Sequence, residues 1–458
     1  MRYSCSILIA FVFVLFVFQG QTQEVDQLTA EDAVVFALEN NYQVQISRKQ
    51  TAIAEKNNKW SEAGAFPTVE LSAALGNSIV DNRNNPFTFT PGLLANNSLS
   101  PSATVNWNIF TGMGVRISKQ RLERLEEQSK GNSMLILENT AHDVLSAYYA
   151  ALMQTKRLHV LREVYNFSKK QFDFEESKSA FGQSNKLAVY QLKNQLLTDS
   201  INVKQQQVSQ ENALRNLLLL MNVSQESLEN DDFPSLLDSL NIQLLPVVKE
   251  TVLSDLKANN QNLKNQIINL ELQQTTTKLQ RSFLYPTIGL QLGAAPNYGR
   301  FQFLGDVQPA PGMPNVEGSV RTQQVTYFGN INIRYSLFNN WKDKRAVEVS
   351  KIQEQIAQMN VSEMEKQLST NALNLIKQYT LRNDLVSLAQ ENLTYASLAY
   401  EIGRERYELG AINSIELTQL KNAYINGEME YYDALYQRIE VYLELMKMTG
   451  KLQLDYAG

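Results

Sequence analysis

Cysteine and histidine, the residues that most often carry metals or nucleophilic chemistry, are nearly absent from this chain of 458 residues, which has one cysteine and two histidines. Neither His142 nor His159 has a cysteine or an acidic cluster at ligand spacing, so we expect no metal site and interpret both as surface or interhelical residues. The sequence also lacks a nucleophile elbow, a phosphate-binding loop and a dinucleotide fingerprint at a strand-to-helix junction. We therefore expect no cofactor and no enzymatic activity.

A surplus of basic residues is absent too. The 42 lysines and arginines are outnumbered by 47 aspartates and glutamates, which gives a formal net charge of -5. Because binding to a phosphate backbone needs a basic surplus on one face, we exclude nucleic acid as a partner. After the N-terminal segment, no stretch approaches the ~20 apolar residues of a transmembrane helix. A membrane-spanning part of this chain would therefore consist of strands.

The N-terminal segment is typical of a secretory signal peptide. Arg2 supplies a positive charge, and Ile7–Phe18 is an unbroken apolar run that is too short to span a bilayer comfortably. We predict a signal peptide over residues 1–22, with cleavage between Gly20 and Gln23. Cys5 precedes the apolar run, so it cannot become the lipidated first residue of a lipoprotein. An exported chain without a disulfide or a lipid anchor must obtain its stability from packing or assembly.

The remaining sequence is one unit written twice. Four short matches recur at an offset of 228 residues, and two matches nearer the start of each half recur at an offset of 219. Such self-similarity predicts a duplicated structural unit. We predict a first repeat over residues 23–230, a linker over 231–246 and a second repeat over 247–458. The matches are Gln191–Asn194 with Gln419–Asn422, Phe181-Gly182 with Leu409-Gly410, Trp107–Phe110 with Tyr335–Phe338, Met221-Asn222 with Thr449-Gly450, Asn40-Asn41 with Asn259-Asn260, and Phe66-Pro67 with Tyr285-Pro286.

For each repeat the sequence predicts a helix, two strands, a very long helix, a tight turn and a helix, in that order. The opening helix is predicted to start at Thr29, with Asp32 completing the cap, and to continue toward Phe66, where Pro67 ends it. Two stretches with almost no proline or glycine, about 113–181 and 341–409, predict helical rods of about 100 Å. Apolar spacings of three and four predict antiparallel coiled-coil packing. The stripes are Tyr432, Leu435, Ile439, Tyr442 and Met446, and Leu187, Tyr190, Asn194, Leu197 and Ile201.

Alternating apolar and polar residues predict the strands. The clearest runs start at Ala103 and at Val325 and continue to Ile109 and Leu337, and their partner strands are predicted over Val69–Val80 and Thr287–Ala295. In each strand one face suits lipid and the other suits water. Segments rich in proline and asparagine, residues 81–101 and 296–321, are predicted to be loops.

In this order of elements the chain resembles the TolC-like outer-membrane efflux family, over about Leu28 to Gly450. The resemblance implies a mixed α and β membrane protein, in which three copies form a 12-stranded β-barrel with a periplasmic α-helical tunnel. It also implies a homotrimer in the lipid of a Gram-negative outer membrane. A periplasmic membrane-fusion adaptor and an inner-membrane pump, either of the resistance-nodulation-division type or ATP-driven, would be its partners. The residues that carry the resemblance are Leu28–Ala33, Phe66-Pro67, Trp107–Gly112 and Arg406–Gly410.

The resemblance also assigns candidate sites. An acidic pair that narrows the pore in the family corresponds to Glu416 and Gln419, of which only Glu416 is charged, and a basic residue that helps lock the closed tip is replaced by Ile412. We therefore expect closure to depend more on apolar packing than on salt bridges. The helix turns are predicted to form the adaptor-docking tip, and aromatic residues near strand ends are predicted to lie at the membrane interface. The tip residues are Phe181, Gly182, Gln183, Ser184, Leu409, Gly410, Ala411 and Ile412, and the aromatic residues are Trp107, Tyr327 and Tyr335.

Two other classes of function remain open at this point. An exported coiled-coil scaffold or adhesin would explain the long helices, but it would not need four amphipathic strands in duplicate. An enzyme of the cell envelope lacks a candidate site. For a channel, the cargo could be a small molecule or a polypeptide, and the sequence does not distinguish between them.

Overall fold

The computed structural model describes residues 27–85, 92–182, 185–226, 233–242, 244, 246–304 and 319–452. The predicted signal peptide lies outside these residues. In the first half the elements are β1 (Gln27–Leu28), α1 (Ala30–Asn40), α2 (Tyr42–Asn57), β2 (Thr68–Asp81), β3 (Leu93–Thr111), α3 (Gly114–Ala180) and α4 (Lys186–Met221). In the second half they are β4 (Ser235–Leu236), α5 (Lys249–Asn259), α6 (Gln261–Ser282), β5 (Thr287–Leu304), β6 (Ser319–Arg334), α7 (Lys342–Glu408) and α8 (Ser414–Met448).

The described elements recur at the two offsets seen in the sequence. Helices α1 and α5 have 11 residues each and start at residues 30 and 249, an offset of 219. Helices α3 and α7 have 67 residues each and start at residues 114 and 342, an offset of 228. At 1.5 Å per residue each of these two helices is about 100 Å long, as predicted.

The opening helix is shorter than predicted. Thr29 is its N-cap and accepts a hydrogen bond from the backbone N–H of Asp32, in agreement with the sequence. However, the helix does not continue toward Phe66, because it ends at Asn40, and α2 ends at Asn57. Turns follow until β2 begins at Thr68, one residue after Pro67.

In each repeat the first helix is broken in two, between α1 and α2 or between α5 and α6, and an asparagine lies at the break. Asn41 accepts from backbone N–H groups in the first turn of α2, and its side-chain amide donates to the carbonyl of Leu220 at 3.0 Å. Asn260 caps α6 in the same way, and its amide donates to the carbonyl of Met448 at 2.9 Å. A short side chain that bonds to nearby backbone favours a cap over a helix interior. Each asparagine thus ties the helix break to the last turn of the helix that ends its own repeat.

The sheet is antiparallel with the order β2-β3-β5-β6, and its strands are longer than predicted. The predicted loops over 81–101 and 296–321 are wrong in part, because β3 begins at Leu93 and β5 continues to Leu304. Both strands contain a proline, Pro101 or Pro296, which lacks an N–H. Pairing between β3 and β5 is interrupted between Leu99 and Ala103 and is regular before and after this gap. Pro101 remains paired with β2, and Pro296 remains paired with β6. At its C-terminal end, β6 stops earlier than predicted, at Arg334, before Tyr335 and Leu337.

The register brings the apolar side chains of all four strands onto one face. One cross-strand row contains Leu71, Ala103, Ala294 and Tyr327. The opposite face carries mostly polar and small side chains, for example Asn106, Gln291 and Asn330 in one row. The sheet therefore has one apolar and one polar face over most of its length, as the alternation predicts.

The largest buried cluster lies where α1, α3, α4 and α8 meet. Val34, Val144, Leu217 and Ile439 are fully buried there. The linker contributes β4, which pairs in parallel with β1, and Tyr148 donates a hydrogen bond to the carbonyl of Leu28 at 2.9 Å. Away from this cluster the long helices bury only narrow stripes. None of the described helices is long and apolar enough to cross a membrane.

Candidate functional sites on the helix turns and the sheet

Both long helices end in a turn that a glycine makes in the left-handed backbone region. Gly182 has φ +73° and Gly410 has φ +72°, and a side chain at either position would meet open space. At the second turn, the N–H of Gly410 donates to the carbonyl of Tyr407 at 2.9 Å and that of Ala411 donates to Arg406 at 2.8 Å. These two hydrogen bonds form a Schellman motif, which closes the helix end and reverses the chain.

The turns expose large apolar side chains. Phe181 is 81% exposed and Leu409 is 84% exposed, while Ile412 is half-buried. Gln183 and Ser184, which were predicted to belong to the same tip, lie outside the described residues. Exposed apolar side chains of this size at the end of a rod are typical of a surface that another protein covers.

Glu416 and Gln419 lie in the first two turns of α8 and are both exposed. Glu416 also completes a capping box: its carboxylate accepts from the N–H of Asn413 at 3.4 Å, and Asn413 accepts from the N–H of Glu416 at 2.9 Å. This role was missed in the sequence, although the Asn413-x-x-Glu416 spacing is the signature of such a box. Any effect of changing Glu416 therefore has a structural component as well as an electrostatic one.

A buried ion pair lies behind the tip and joins the two repeats. The ammonium of Lys421 donates to the Asp199 carboxylate at 2.9 Å and to the Ser168 hydroxyl at 3.1 Å, and Ser168 donates to the same carboxylate at 2.6 Å. Gln195 donates to the other carboxylate oxygen at 2.9 Å. The side chains of Lys421 and Asp199 are 3% and 5% exposed. We call Ser168, Asp199 and Lys421 the polar lock, which connects α3, α4 and α8.

The sequence contained a signal for the polar lock that its interpretation missed. The apolar members of the predicted α4 stripe, Leu187, Tyr190, Leu197 and Ile201, do not pack within the described chain, where they are exposed. The buried stripe is instead Leu192, Leu196 and Asp199, with coiled-coil spacings of four and three. A charged residue at such a position needs a buried partner of opposite charge.

His142 connects α3 to α8 nearer the middle of the long helix. Its Nε2 lies 3.1 Å from a Glu444 oxygen and its Nδ1 lies 3.1 Å from Asp143. The hydrogen bond with Glu444 raises the pKa of His142, and the same contact lowers the pKa of Glu444. His159 is exposed beside Glu163. Within the described ranges no group of three histidine, cysteine or acidic side chains is arranged to hold a metal ion.

A groove of about 800 Å³ lies beside the tip between α3 and α7, and α8 forms part of its wall. Tyr400 stacks on Tyr424 with ring centroids 5.4 Å apart, and the guanidinium of Arg404 lies 4.7 Å from the centre of the Phe167 ring. Burial raises the pKa of Tyr400, so its hydroxyl remains protonated at physiological pH. The groove presents cationic, acidic and aromatic groups together, and no pattern in the sequence predicted it.

The three predicted interfacial aromatics occupy different places on the sheet. Trp107 lies near the helical end of β3, and its indole N–H donates to the carbonyl of Ala65 at 3.0 Å. Tyr335 is exposed just after β6. Tyr327 is not near a strand end as expected, because it lies opposite Ala294 in the middle of the sheet. An aromatic residue that the interpretation overlooked, Tyr298, lies toward the other end of the same face.

Comparison with known proteins gives one family match and several structural matches. A family model described as outer membrane efflux protein matches residues 34–222 and 252–451. No curated protein sequence matches the chain significantly.

Three outer-membrane proteins of known structure share the fold at low sequence identity. The CmeC outer membrane channel of Campylobacter jejuni is 14% identical over 94% of this chain and 87% of its own, with a TM-score of 0.74. The MtrE outer membrane channel of Neisseria gonorrhoeae, in its open state, is 15% identical over 94% and 91%, with a TM-score of 0.68. The outer membrane protein VceC of Vibrio cholerae is 12% identical over 92% and 96%, with a TM-score of 0.68.

Proposed function

Since this chain belongs to the outer membrane efflux protein family, we propose that three copies form an export channel in the outer membrane of a Gram-negative bacterium. The chain is a transport protein and not an enzyme, in agreement with the sequence analysis. The four-stranded sheet contributes to a closed barrel of twelve strands, and the long helices form a tunnel in the periplasm. The observation that carries the proposal is the sheet, in which one face is apolar over most of its length and, within the described residues, both edge strands lack a partner on their outer side.

The edges of the sheet require partners in lipid. Strands β2 and β6 each pair on one side only within the described chain. In a bilayer every unpaired backbone group costs several kcal/mol, because no water is present to bond with it. Three copies supply twelve strands and pair β6 of one copy with β2 of the next, which removes every edge.

The exposed helix stripes support the same assembly. Helix α3 packs against α8 within one chain, so the free sides are those of α4 and α7. In the duplicated unit, α7 is the counterpart of α3 and α4 is the counterpart of α8. The contact between α3 and α8 within one chain therefore has a quasi-equivalent counterpart, in which α7 of one copy packs against α4 of the next. Both helices carry apolar side chains that would otherwise be exposed to water. They are Leu187, Tyr190, Leu197 and Ile201 on α4, and Leu388 and Tyr395 on the part of α7 that lies level with α4.

Oligomeric state and conductance together test the channel. Light scattering in mild detergent is expected to give a trimer, which should migrate in a heat-modifiable way in outer-membrane extracts and conduct ions in planar bilayers. A monodisperse monomer without conductance would contradict the channel and would leave the exported scaffold or adhesin as the function.

The tip is the proposed docking site for a periplasmic membrane-fusion adaptor, through which the channel works with an inner-membrane pump of the resistance-nodulation-division or ATP-driven type. Exposed Phe181 and Leu409, with the aromatic groove beside them, are the surface available at that end. The exported cargo is a small molecule or a polypeptide. In this arrangement one Glu416 and one Gln419 from each copy line the narrowest part of the pore.

A substitution at Gly410 tests the docking tip. Gly410→Val forces a β-branched residue into the left-handed region and distorts the turn, so export is expected to be lost while the trimer still inserts and conducts. Gly64 also has a positive φ, of +83°, and open space around it, but it lies in the turn before β2. Gly64→Val is therefore the matched control and should leave export intact. Normal export by the Gly410 variant would remove the tip from the docking model.

A further inference from the structure

The apolar face of the sheet carries a row of four polar side chains toward the end away from the helices. Asn77, Asn97, Arg300 and Arg321 are register partners across all four strands. The row next to it on the same face, on the helical side, contains Leu75, Leu99, Tyr298 and Gln323. Since side chains alternate along a strand, the two arginines lie on the apolar side of the sheet and not on the polar side.

The two arginines repel each other. They lie directly opposite each other on neighbouring strands, where like charges destabilise a sheet. Both are exposed, and in the part of the chain that the structure describes neither has an ion-pair or hydrogen-bond partner. Together with Asn77, Asn97 and Tyr298 they line a shallow cavity of about 490 Å³. Two free guanidinium groups beside one cavity are suited to a ligand with a double negative charge.

The position of the row along the sheet indicates where that charge would be. From Ile288 to Tyr298 every outward residue of β5 is apolar or aromatic: Ile288, Leu290, Leu292, Ala294, Pro296 and Tyr298. These residues cover about 34 Å along the strand, or about 25 Å along the membrane normal at a barrel tilt near 40°. That is the height of the apolar band of an outer-membrane barrel. Arg300 is the next outward residue, so it lies at the level of the lipid headgroups.

We propose that Arg300 and Arg321 bind the phosphate group of a lipid in the outer leaflet, with Asn77 and Asn97 as additional donors. The proposal rests on the membrane orientation of the proposed function, which puts the end of the sheet away from the helices at the outer surface. A phosphate monoester carries about 1.5 to 2 negative charges, and a guanidinium binds it through two parallel hydrogen bonds. Such a phosphate offsets the repulsion between the two arginines. Tyr298 then packs at the boundary between headgroup and acyl chains.

The test compares lipid binding by the purified trimer and by Arg300→Gln/Arg321→Gln. The probe is lipid A with both phosphates, incorporated in phosphatidylcholine vesicles, and a second set of vesicles carries lipid A without phosphates. We expect the substitutions to weaken binding of the phosphorylated form about 25-fold, since each arginine near an anionic surface contributes roughly fivefold. Binding of the dephosphorylated form should not change. Arg300→Lys/Arg321→Lys retains the charge without the planar fork and should show an intermediate loss.

Arg334→Gln is the matched control, because Arg334 lies on β6 with the same charge but belongs to the opposite face of the sheet. It should leave lipid binding unchanged. Equal binding by the double variant and the unmodified trimer would overturn the lipid site, and so would competition by millimolar inorganic phosphate with no preference for the lipid. Conductance in planar bilayers is measured on the same samples. Absence of conductance from every variant and from the unmodified protein would count against the channel itself rather than against the lipid site.

Discussion

At the scale of single residues, Glu416 combines two roles that one substitution cannot separate. Glu416→Ala removes both the charge and the capping-box hydrogen bond to Asn413, and a cap of this kind contributes about 0.3–1.5 kcal/mol to stability. Glu416→Gln keeps a side chain that can accept the same bond. We expect both variants to lose cation preference in planar bilayers and to conduct more, and only the alanine variant to unfold at a lower temperature. Unchanged selectivity in the glutamine variant would place the gate elsewhere.

We expect His142 to make the stability of the folded protein depend on pH. Contact with Glu444 raises the pKa of His142 and Asp143 adds to this, while burial of the ring and the charge of Lys447 oppose it. The protonated form is therefore favoured in the folded state, so its stabilising effect is complete below the ordinary value of 6.5 and is lost as the pH rises through the raised value. Glu444 has a lowered pKa, so its own contribution is lost only in acid. The pair should stabilise most between these two limits.

Thermal unfolding of the trimer between pH 5 and pH 9 measures this effect. The difference in melting temperature between the unmodified protein and His142→Gln is expected to be largest in weak acid and to shrink above neutral pH. His159→Gln is the control, because His159 is exposed and on the same helix. A difference that does not vary with pH would mean that His142 acts only through packing.

At the scale of helices and strands, the polar lock is the clearest candidate for a large single-residue effect. Removing one partner of a buried ion pair leaves the other charge unpaired and costs about 3–5 kcal/mol. Lys421→Met is therefore expected to lower the temperature of unfolding strongly. The control is Lys169→Met, because Lys169 lies next to Ser168 on α3 but is exposed. Equal effects of the two substitutions would show that the buried pair adds little.

What could be predicted from the sequence depended on the range of the interactions involved. The long helices and their glycine turns were predicted to within a residue or two, because their signals are local. A scarcity of proline and glycine marks each helix, and Gly182 or Gly410 marks its end. Strand ends were missed where tertiary pairing overrides local signals, since Pro101 and Pro296 interrupt one register but are held by the strands on their other sides. The helix break at Asn41 required the carbonyl of Leu220, which is distant in sequence.

The candidate sites also differ in whether their signals are local in the sequence or depend on tertiary packing. The Asn413-x-x-Glu416 box was readable from spacing alone, and so was Asp199 in the buried stripe of α4 once the correct stripe is chosen. The pairing of Asp199 with Lys421 was not readable, because it depends on how the two repeats pack. The row containing Arg300 and Arg321 likewise depends on strand register, and both arginines lie in the segment 296–321 that was predicted to be a loop.

At the scale of the whole molecule, the polar lock shows where the two repeats are not equivalent. At an offset of 228 residues the positions of Ser168 and Asp199 are occupied by Ala396 and Gly427, while the position of Lys421 is occupied by Lys193. The contact between α3 and α8 within one chain therefore has a buried ion pair. In the proposed trimer, the quasi-equivalent contact between α7 and the α4 of the next copy has the lysine alone. We expect the tunnel to open at the boundary between copies, where no such pair resists separation.

This expectation can be tested by building the missing pair. Ala396→Ser/Gly427→Asp would give α7 and α8 the hydroxyl and carboxylate that Lys193 of the next copy could meet. A Cβ at Gly427 would make only ordinary contacts, 3.4 Å from the Leu393 backbone and 3.7 Å from Ala396. The variant trimer should dissociate at a higher temperature and conduct less, while Gly427→Ala should do neither. Adding Lys193→Met should reverse both effects, because the new carboxylate would then be buried without a partner. A trimer that is tightened equally with and without Lys193 would show that the boundary is held by apolar packing and that the lock does not govern opening.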